Sequence, residues 1–370
     1  MKNQRKNKKA RRTLLLLLLI CITGTLLTTA SYAWFTANRQ VSVNTITVNV
    51  AAKNGIQISV DGTDWKSIIQ TDDIRAAHTA YVTASKSANM LPTSMEPVST
   101  IGEVENDATL GNLIKMFYGT VSSNAGGQNI LSATKVTEAR DVATTNNTAK
   151  FVAFDIFLKV TETTDLYITG DSGVTANGTD KGIKNATRMA FLLKGNTTTE
   201  STLQQIQELN TDNTVYIWEP NYDVHTASGI ANARDIYGLT TTATGATQLS
   251  YYGVKAPIAD SNNVLLSEAN TTAGQCFVGG VVNRTYADAS ACSGASGTWV
   301  ANSTYFGAVS PDYSTTAGNT NNFQVFGLSA GITKLRVYMW VEGQDVDCEN
   351  EASGSDIDFD LAFTIPEPTP

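Results

Sequence analysis

Carboxylate side chains are concentrated near the C-terminus of this 370-residue sequence, where six fall within fourteen positions. They are Asp345, Asp347, Glu349, Glu351, Asp356 and Asp358. Oxygen ligands in a segment that also contains Asn, Ser and Gly are the kind that Ca²⁺ prefers, although the spacing is not that of an EF-hand. Two interpretations stay open: a calcium site built from Asp345, Asp347, Glu349, Asp356 and Asp358, and an acidic loop exposed to solvent.

Histidine, the usual side chain for acid–base chemistry near neutral pH, occurs only at His78 and His225. The two are far apart, and no Gly-x-Ser-x-Gly nucleophile motif accompanies them. His225 follows Glu219 and Asp223 and is interpreted as a surface histidine beside acids, with a metal or catalytic role as the alternative. The sequence also lacks a phosphate-binding glycine loop, zinc-type Cys/His spacing and a dinucleotide fingerprint. These absences favour a protein that is not an enzyme.

The cysteines suggest one local disulfide. Cys276 and Cys292 enclose 15 residues rich in Gly, Ala and Ser. Outside the cytosol we expect these two to be joined, with a pair of free thiols as the alternative. Cys348 lies in the acidic segment outside that bond, either as a free thiol or as a partner for another chain.

The N-terminal segment predicts export. A basic cluster at positions 2–12 is followed by an apolar run from Leu14 to Leu27 and by Ser31-Tyr32-Ala33. This order is typical of a signal peptide cut by signal peptidase between Ala33 and Trp34, and a cut three residues earlier is the second choice. Residues 13–33 would reach roughly 31 Å as a helix, so an uncleaved membrane anchor is the alternative.

The charge balance excludes some partners. Residues 1–33 hold seven basic and no acidic residues, so their removal would change the formal net charge from −8 to −15. Such an acidic chain is a poor partner for nucleic acids or anionic membrane surfaces. Only 16% of all residues are charged, which suits an extracellular or cell-surface protein kept soluble by uncharged polar side chains.

Alternating apolar and polar residues predict an all-β fold. The predicted strands cover 41–50, 56–60, 151–160, 166–169, 189–194, 215–218, 323–327, 335–341 and 357–365. Residues 151–160 are apolar on both faces and should be covered on both, whereas 357–365 alternate strictly and should be half-buried. Many strands without βα alternation indicate an antiparallel β-sandwich, with a jelly-roll-like arrangement as the first choice.

Residues 34–365 are predicted to form this one sandwich domain, followed by a proline-rich tail at 366–370 that cannot continue a ladder. Residues 221–320 lack clear periodicity and are interpreted as an irregular insertion held by the suspected disulfide. The remaining predictions are short helices or turns at 107–117 and 201–209, short strands at 81–83 and 130–136, and a polar loop at 170–185.

The two ends of the chain resemble the TasA/camelysin family of secreted bacterial proteins, which form biofilm and cell-surface fibres. The matching residues are Ala30–Phe35, Val41–Val50 and Ile357–Ile365. In that family a signal peptide leads directly into an aromatic-bearing first strand, and an alternating strand closes a jelly roll. The resemblance implies a secreted fibre or surface protein. The protease activity credited to family members does not carry over, because this chain has no His-Glu-x-x-His.

Two functions therefore stay open. The first is a structural protein of the cell surface or extracellular matrix that self-associates, or binds other surface proteins, by strand addition. Val41–Val50 lacks the lysines and prolines that usually protect an exposed sheet edge, and Trp34 and Phe35 could fill pockets on a neighbour. The second is an extracellular carbohydrate-binding protein or hydrolase that uses residues 221–320. No cofactor other than calcium is expected.

Overall fold

The structure is a computed structural model that describes most of the chain from residue 46 onward. The described residues are 46–53, 55–77, 80–83, 86–87, 91–92, 94–136, 148–235, 251–266, 274–283, 285–286, 288–309, 323–349, 354 and 356–366. The predicted signal peptide, the Ala33–Trp34 junction, His78 and Glu351 lie outside them. No helix within these ranges is both long enough and apolar enough to cross a membrane.

Strands dominate the described residues, and the all-β prediction is confirmed. The strands are β1 (Ile46–Ala52), β2 (Gln57–Ser59), β3 (Ile68–Gln70), β4 (Ser94–Met95), β5 (Val104–Asp107), β6 (Gly111–Ile114), β7 (Phe117–Ser123), β8 (Asn129–Lys135), β9 (Thr148–Ala149), β10 (Val152–Val160), β11 (Thr164–Ile168), β12 (Gly173–Asn177), β13 (Thr187–Thr197), β14 (Val215–Trp218), β15 (Tyr251–Val254), β16 (Gly274–Val278), β17 (Val281–Val282), β18 (Thr298–Ala301), β19 (Phe306–Val309), β20 (Phe323–Leu328), β21 (Gly331–Val341) and β22 (Asp356–Thr364). The α-helices are α1 (Thr71–Ala77), α2 (Leu203–Gln207), α3 (Ala227–Asp235) and α4 (Ala289–Gly294).

Two sheets form a sandwich around the main core. Sheet A has the strand order β20-β11-β22-β1-β3, with β12 also paired to β22, and sheet B has the order β14-β13-β21-β10-β2. Aromatic rings from the two sheets meet between them. Phe191 on β13 lies 5.8 Å from Phe363 on β22, and Tyr216 on β14 lies 6.2 Å from Phe326 on β20, as measured between ring centroids.

Strand β1 departs from the antiparallel pattern. It runs parallel to β22, from Ile46 opposite Ile357 to Ala52 opposite Phe363, and antiparallel to β3 on its other side. The first described strand is thus internal to sheet A and lies beside the last one. The predicted purely antiparallel pairing is wrong at this contact and at the short parallel pair of β4 with β9. The jelly-roll order stays a prediction.

Sheet B is covered on both faces, as predicted for residues 151–160. Strand β10 lies between β21 and β2, and eight of its nine residues are buried. The face turned away from sheet A carries an apolar group made of Phe151, Ala153, Ala190, Leu192, Tyr338 and Trp340, which packs against Val98, Ile114, Met116 and Ala149. Farther along the same face, Tyr81 and Ile206 pack with Phe157 and Ile332. The described part of residues 81–149, together with α2, therefore forms a third layer on sheet B.

Residues 107–117 contain a β-hairpin instead of the predicted helix or irregular turn. Strand β5 pairs with β6, with Val104 opposite Ile114 and Asp107 opposite Gly111. Asp107 Oδ1 accepts the backbone N–H groups of Thr109 and Leu110, both at 2.8 Å. This Asx turn uses the carboxylate that was expected to cap a helix, because an aspartate can satisfy backbone donors in either structure.

Three shorter predictions have mixed outcomes. Strand β8 confirms the strand at 130–136, and α2 lies within the predicted helix 201–209, where Thr202 and Gln205 form a capping box. Residues 81–83 form bends instead of a strand. The predicted loop at 170–185 contains β12, whose one buried residue, Val174, left no apolar alternation to detect.

The segment 221–320 contains more regular structure than expected. Strand β16 pairs with β17 and β18, and β15 pairs with β19. The described part also includes α3 and α4. A disulfide joins Cys276 on β16 to Cys292 on α4, and Asp288 Oδ1 caps that helix by accepting the N–H of Ala291 at 2.8 Å. This small sheet and its helix form a unit closed by the disulfide.

Candidate functional site

The acidic segment begins where β21 ends, and its first part is buried. Asp345, Asp347 and Glu349 are only 5%, 0% and 2% exposed. Successive turns hold this backbone, because the N–H of Asp345 bonds the carbonyl of Glu342 and the N–H of Cys348 bonds the carbonyl of Asp345, both at 3.1 Å. The interpretation as a solvent-exposed loop is therefore wrong for this part of the segment.

Asp356 and Asp358 lie elsewhere, on β22. They occupy half-buried positions that alternate with the buried Ile357 and Phe359, and their register partners are Asn177 and Thr175 on β12. The Oδ1 atom of Asp358 is buried and accepts no hydrogen bond from the described residues. The five predicted calcium ligands are thus divided between the turn after β21 and one face of β22.

His225 joins the buried part of the acidic segment. Its Nδ1 atom lies 2.6 Å from Asp347 Oδ2, and its side chain is 3% exposed. Thr226 donates its backbone N–H and its hydroxyl to Asp347 Oδ1, at 2.8 and 2.7 Å. The interpretation of His225 as a surface histidine is wrong, because the chain between β14 and α3 passes directly over the turn that follows β21.

This close passage depends on Gly229 in the first turn of α3. A Cβ atom at position 229 would lie 2.3 Å from Asp347 Oδ1, far inside van der Waals contact. Next to it, Glu349 Oε1 accepts the hydroxyl of Ser228 and, at 3.3 Å, that of Thr226. The start of α3 and the acidic turn are therefore held together by hydroxyl-to-carboxylate hydrogen bonds.

Arg188 on β13 connects the turn to a second carboxylate. Its Nη2 donates to Asp345 and to Glu219 Oε1, the latter at 2.5 Å, and its Nη1 donates to the carbonyls of Asn185 and Thr187 at 3.0 and 3.1 Å. One guanidinium nitrogen thus serves two buried acids. The second oxygen of Glu219, Oε2, is buried and accepts no hydrogen bond from any described residue.

Buried carboxylates outnumber permanent positive charges in this group. The acids are Glu219, Glu342, Asp345, Asp347 and Glu349, and the cation is Arg188. Burial raises the pKa of Glu219 to about 8 despite the opposing charge of Arg188, and it raises the pKa of Glu342 to about 7. Burial also raises the pKa of Asp347. Since a buried charge without a partner is costly, the group favours protons or an added cation.

Cys348 lies within the same turn and is fully buried. Burial, followed by the negative charge of Asp345 and Glu342, raises the pKa of its thiol well above the usual range. The thiol therefore stays protonated at neutral pH and is a poor nucleophile. Neither an intermolecular disulfide nor thiol chemistry is favoured in this conformation.

A second polar group lies on the outer face of sheet B. Arg336 donates to both oxygens of Asp155, at 2.7 and 3.1 Å, and Lys334 Nζ and the Tyr81 hydroxyl lie 3.1 Å from Asp155 Oδ2. Burial opposes ionisation of Asp155, but Arg336 and Lys334 outweigh it and lower its pKa. Lys334 Nζ also donates to the carbonyl of Gln207, at 2.5 Å. The group holds the third layer to sheet B and has no need of an added ligand.

The two groups differ in what they can do chemically. His225, Asp345 and Asp347 offer one nitrogen and two oxygen ligand atoms within 4.8 Å of one another, a donor set that suits a divalent metal ion. Arg188 and Glu219 were not predicted as site residues; the available signal was a charged residue near the start of β13 and another directly after β14. Comparison with known proteins finds no matching family, no similar curated protein and no similar solved structure.

Proposed function

We propose that this chain is an exported structural protein of the bacterial cell surface or extracellular matrix, and that its copies assemble by exchanging strand β1. The observation that carries this proposal is the position of β1, which is the first described strand yet lies inside sheet A between β22 and β3. The basic and apolar N-terminal segment and the family resemblance of both chain ends support export and a surface role.

Among the described residues, β1 pairs only with β22 and β3, so its withdrawal would leave the pairs of β22 with β11 and β12 intact. It contributes seven residue pairs to β22 and three to β3, and it is joined to β2 through a turn that includes Gly55 at φ +86°. Its withdrawal would expose an edge of β22 and leave β3 without another strand partner among the described residues. The β1 strand of a second copy would restore the same pairs, with main-chain hydrogen bonds supplying the affinity.

Exchange of this kind builds chains of molecules. When each copy donates β1 to the next one, the contact is heterologous and does not close, so it extends into a filament. Val50 shows the driving force, because this β1 residue is 0% exposed and would be solvated in an open strand. The partners on this proposal are copies of the same chain or surface proteins with a compatible strand.

The described residues lend less support to a hydrolase. A general base must reach a substrate to act on it. The His225–Asp347 pair has the geometry of a base and its orienting acid, but the two side chains are 3% and 0% exposed. We therefore propose a non-enzymatic role.

Disulfide trapping between separate chains tests the exchange. One variant carries Asn49→Cys and another carries Asp360→Cys, both in a Cys348→Ala background, because positions 49 and 360 are register partners. Neighbouring strands lie about 4.8 Å apart, within reach of a disulfide. After assembly of the two mixed variants, we expect a covalent dimer on non-reducing gels.

The matched control uses Thr175→Cys and Asp358→Cys on separate chains. These positions are register partners on β12 and β22. Strand β12 lies in the middle of the chain and is not the strand proposed to exchange, so no dimer is expected. A chain starting at Asn54 should lose filaments in negative-stain microscopy and recover its stability when a peptide covering residues 41–52 is added. If the 49/360 mixture gives no dimer while a single chain carrying both cysteines closes internally, the exchange proposal fails.

A further inference from the structure

Two chain segments that are distant in sequence bring metal-ligand atoms together in the buried acidic group. His225 precedes α3, whereas Asp345 and Asp347 follow β21, and one ligand atom from each lies within 4.8 Å of the others. All three side chains are at least nine-tenths buried. Histidine nitrogen and aspartate oxygen are both ligands that zinc accepts in proteins.

Glu219 is a second and independent indication of a cation site. Its Oε1 atom shares the Nη2 of Arg188 with Asp345, which places the two carboxylates side by side. Its Oε2 atom is buried and accepts no hydrogen bond from the described residues. A buried carboxylate oxygen without a donor is costly in a group that already contains five acids around one guanidinium. A divalent cation would balance this charge.

We propose that His225, Asp345 and Asp347 bind one divalent transition-metal ion of the zinc or manganese type. The imidazole nitrogen decides the class of ion, since Ca²⁺ takes oxygen ligands, whereas Zn²⁺ and Mn²⁺ accept nitrogen and carboxylate together. Asp345 and Asp347 are two of the five calcium ligands expected from the sequence. His225 takes the place of the other three, and the proposed ion is a transition metal instead of calcium. The bound ion would fasten the segment before α3 to the turn after β21.

Metal binding to the full exported chain, first dialysed against EDTA, tests the proposal. We expect calorimetric titration to give one Zn²⁺ or Mn²⁺ per chain and the unfolding temperature to rise with added metal. Ca²⁺ is expected to bind at least tenfold more weakly. X-ray absorption of the Zn²⁺-loaded protein should report one histidine nitrogen with oxygen ligands and no sulfur.

Two matched aspartate variants separate this site from the rest of the acidic surface. Asp345→Asn removes a proposed ligand and should weaken Zn²⁺ binding at least tenfold, the effect expected even for groups that only support a ligand. Asp358→Asn makes the same chemical change on β22 and should leave binding unchanged. His225→Gln should abolish the nitrogen signal in the absorption spectrum.

Several results would overturn the assignment. They are the absence of stoichiometric Zn²⁺ or Mn²⁺ binding, a preference for Ca²⁺, equal affinities of the Asp345→Asn and Asp358→Asn variants, and a sulfur ligand from Cys348. If Asp345→Asn does not fold, the absorption spectrum of the unmodified chain still decides the matter, because it reports the ligands directly.

Discussion

At the scale of single residues, buried charges connect neighbouring strands of sheet B and the segments that adjoin them. Asp155 on β10 is 0% exposed and sits against Arg336 and Lys334 on the neighbouring β21. Burial of any one of these charges alone would cost too much free energy. Each of the three charged side chains is therefore stable in the interior only because the other two are present. The same reasoning applies to Arg188, which is buried between Glu219 and Asp345.

Replacement of Asp155 by asparagine should therefore be strongly destabilising. The variant leaves the two cations of Arg336 and Lys334 buried without their counter-ion, and we expect a loss of about 3 kcal/mol in the free energy of unfolding. Urea denaturation measures it. Asp64→Asn is the control, because Asp64 is exposed and its ion pair with Lys66 contributes little. Equal effects of the two variants would contradict the assigned role of Asp155.

Lys334 should give the stability a distinct pH dependence. Burial lowers the pKa of Lys334 from 10.5 to about 8. Between these two values the unfolded chain binds more protons than the folded one, so stability due to this residue rises with pH over that window. Within this window the free energy of unfolding should rise by up to about 1.4 kcal/mol per pH unit.

Denaturation at pH 8, 9 and 10 measures this effect. Lys334→Met should lose the rise, while Lys53→Met should keep it, because the side chain of Lys53 is 50% exposed. A Lys334→Met profile that runs parallel to that of the unmodified chain would show that the ammonium is not desolvated.

At the scale of elements, β21 is the strand around which sheet B is organised. Its residues 331–339 pair with β10 and its residues 332–341 pair with β13, and its first residue, Gly331, has φ +118°. A Cβ atom at position 331 would lie 2.2 Å from the carbonyl oxygen of Thr197. The start of the strand can approach β13 only because this residue is glycine.

Gly331→Ala should destabilise the protein by about 1–3 kcal/mol, through backbone strain and the clash with Thr197. Gly173→Ala on β12 is the matched control, because nothing lies within 4 Å of its Cβ position and its φ is not in the positive range. Thermal unfolding compares the two. A Gly331→Ala variant as stable as Gly173→Ala would mean that the strand start relaxes freely.

The local pattern of apolar residues predicted the clearest strands. It failed where the same spacing of apolar residues fits both a helix and a strand. Residues 357–365 were identified because their apolar and polar residues alternate, and residues 151–160 because they form an almost continuous apolar run. At 107–117 the apolar spacing also fits one face of a helix, yet the neighbours Leu113 and Ile114 are both buried in a hairpin, and Ile114 packs on sheet B. Contacts with the rest of the fold, and not the local spacing of apolar residues, therefore determine the structure of this hairpin.

At the scale of the whole molecule, the features that were not predicted depend on contacts between distant positions. The candidate site joins Arg188 on β13, Glu219 and His225 after β14, and Asp345 and Asp347 after β21. The sequence marks each residue as polar, but the sheet order that brings them together has no local signature. The parallel pairing of β1 with β22 escaped prediction for the same reason.

If the chain is exported as proposed, the pairing of β1 with β22 also has a consequence for the order of events during secretion. Ile46 and Ile357 are 311 positions apart and lie side by side, so a chain that emerges N-terminus first cannot close sheet A until its last strand has followed. Throughout that interval an exported β1 would lack its partner β22, and contacts of such long range form slowly. Crowded exit points would then favour capture of a neighbour's strand, while isolated ones would favour self-closure, so the density of export would set the ratio of filament to monomer.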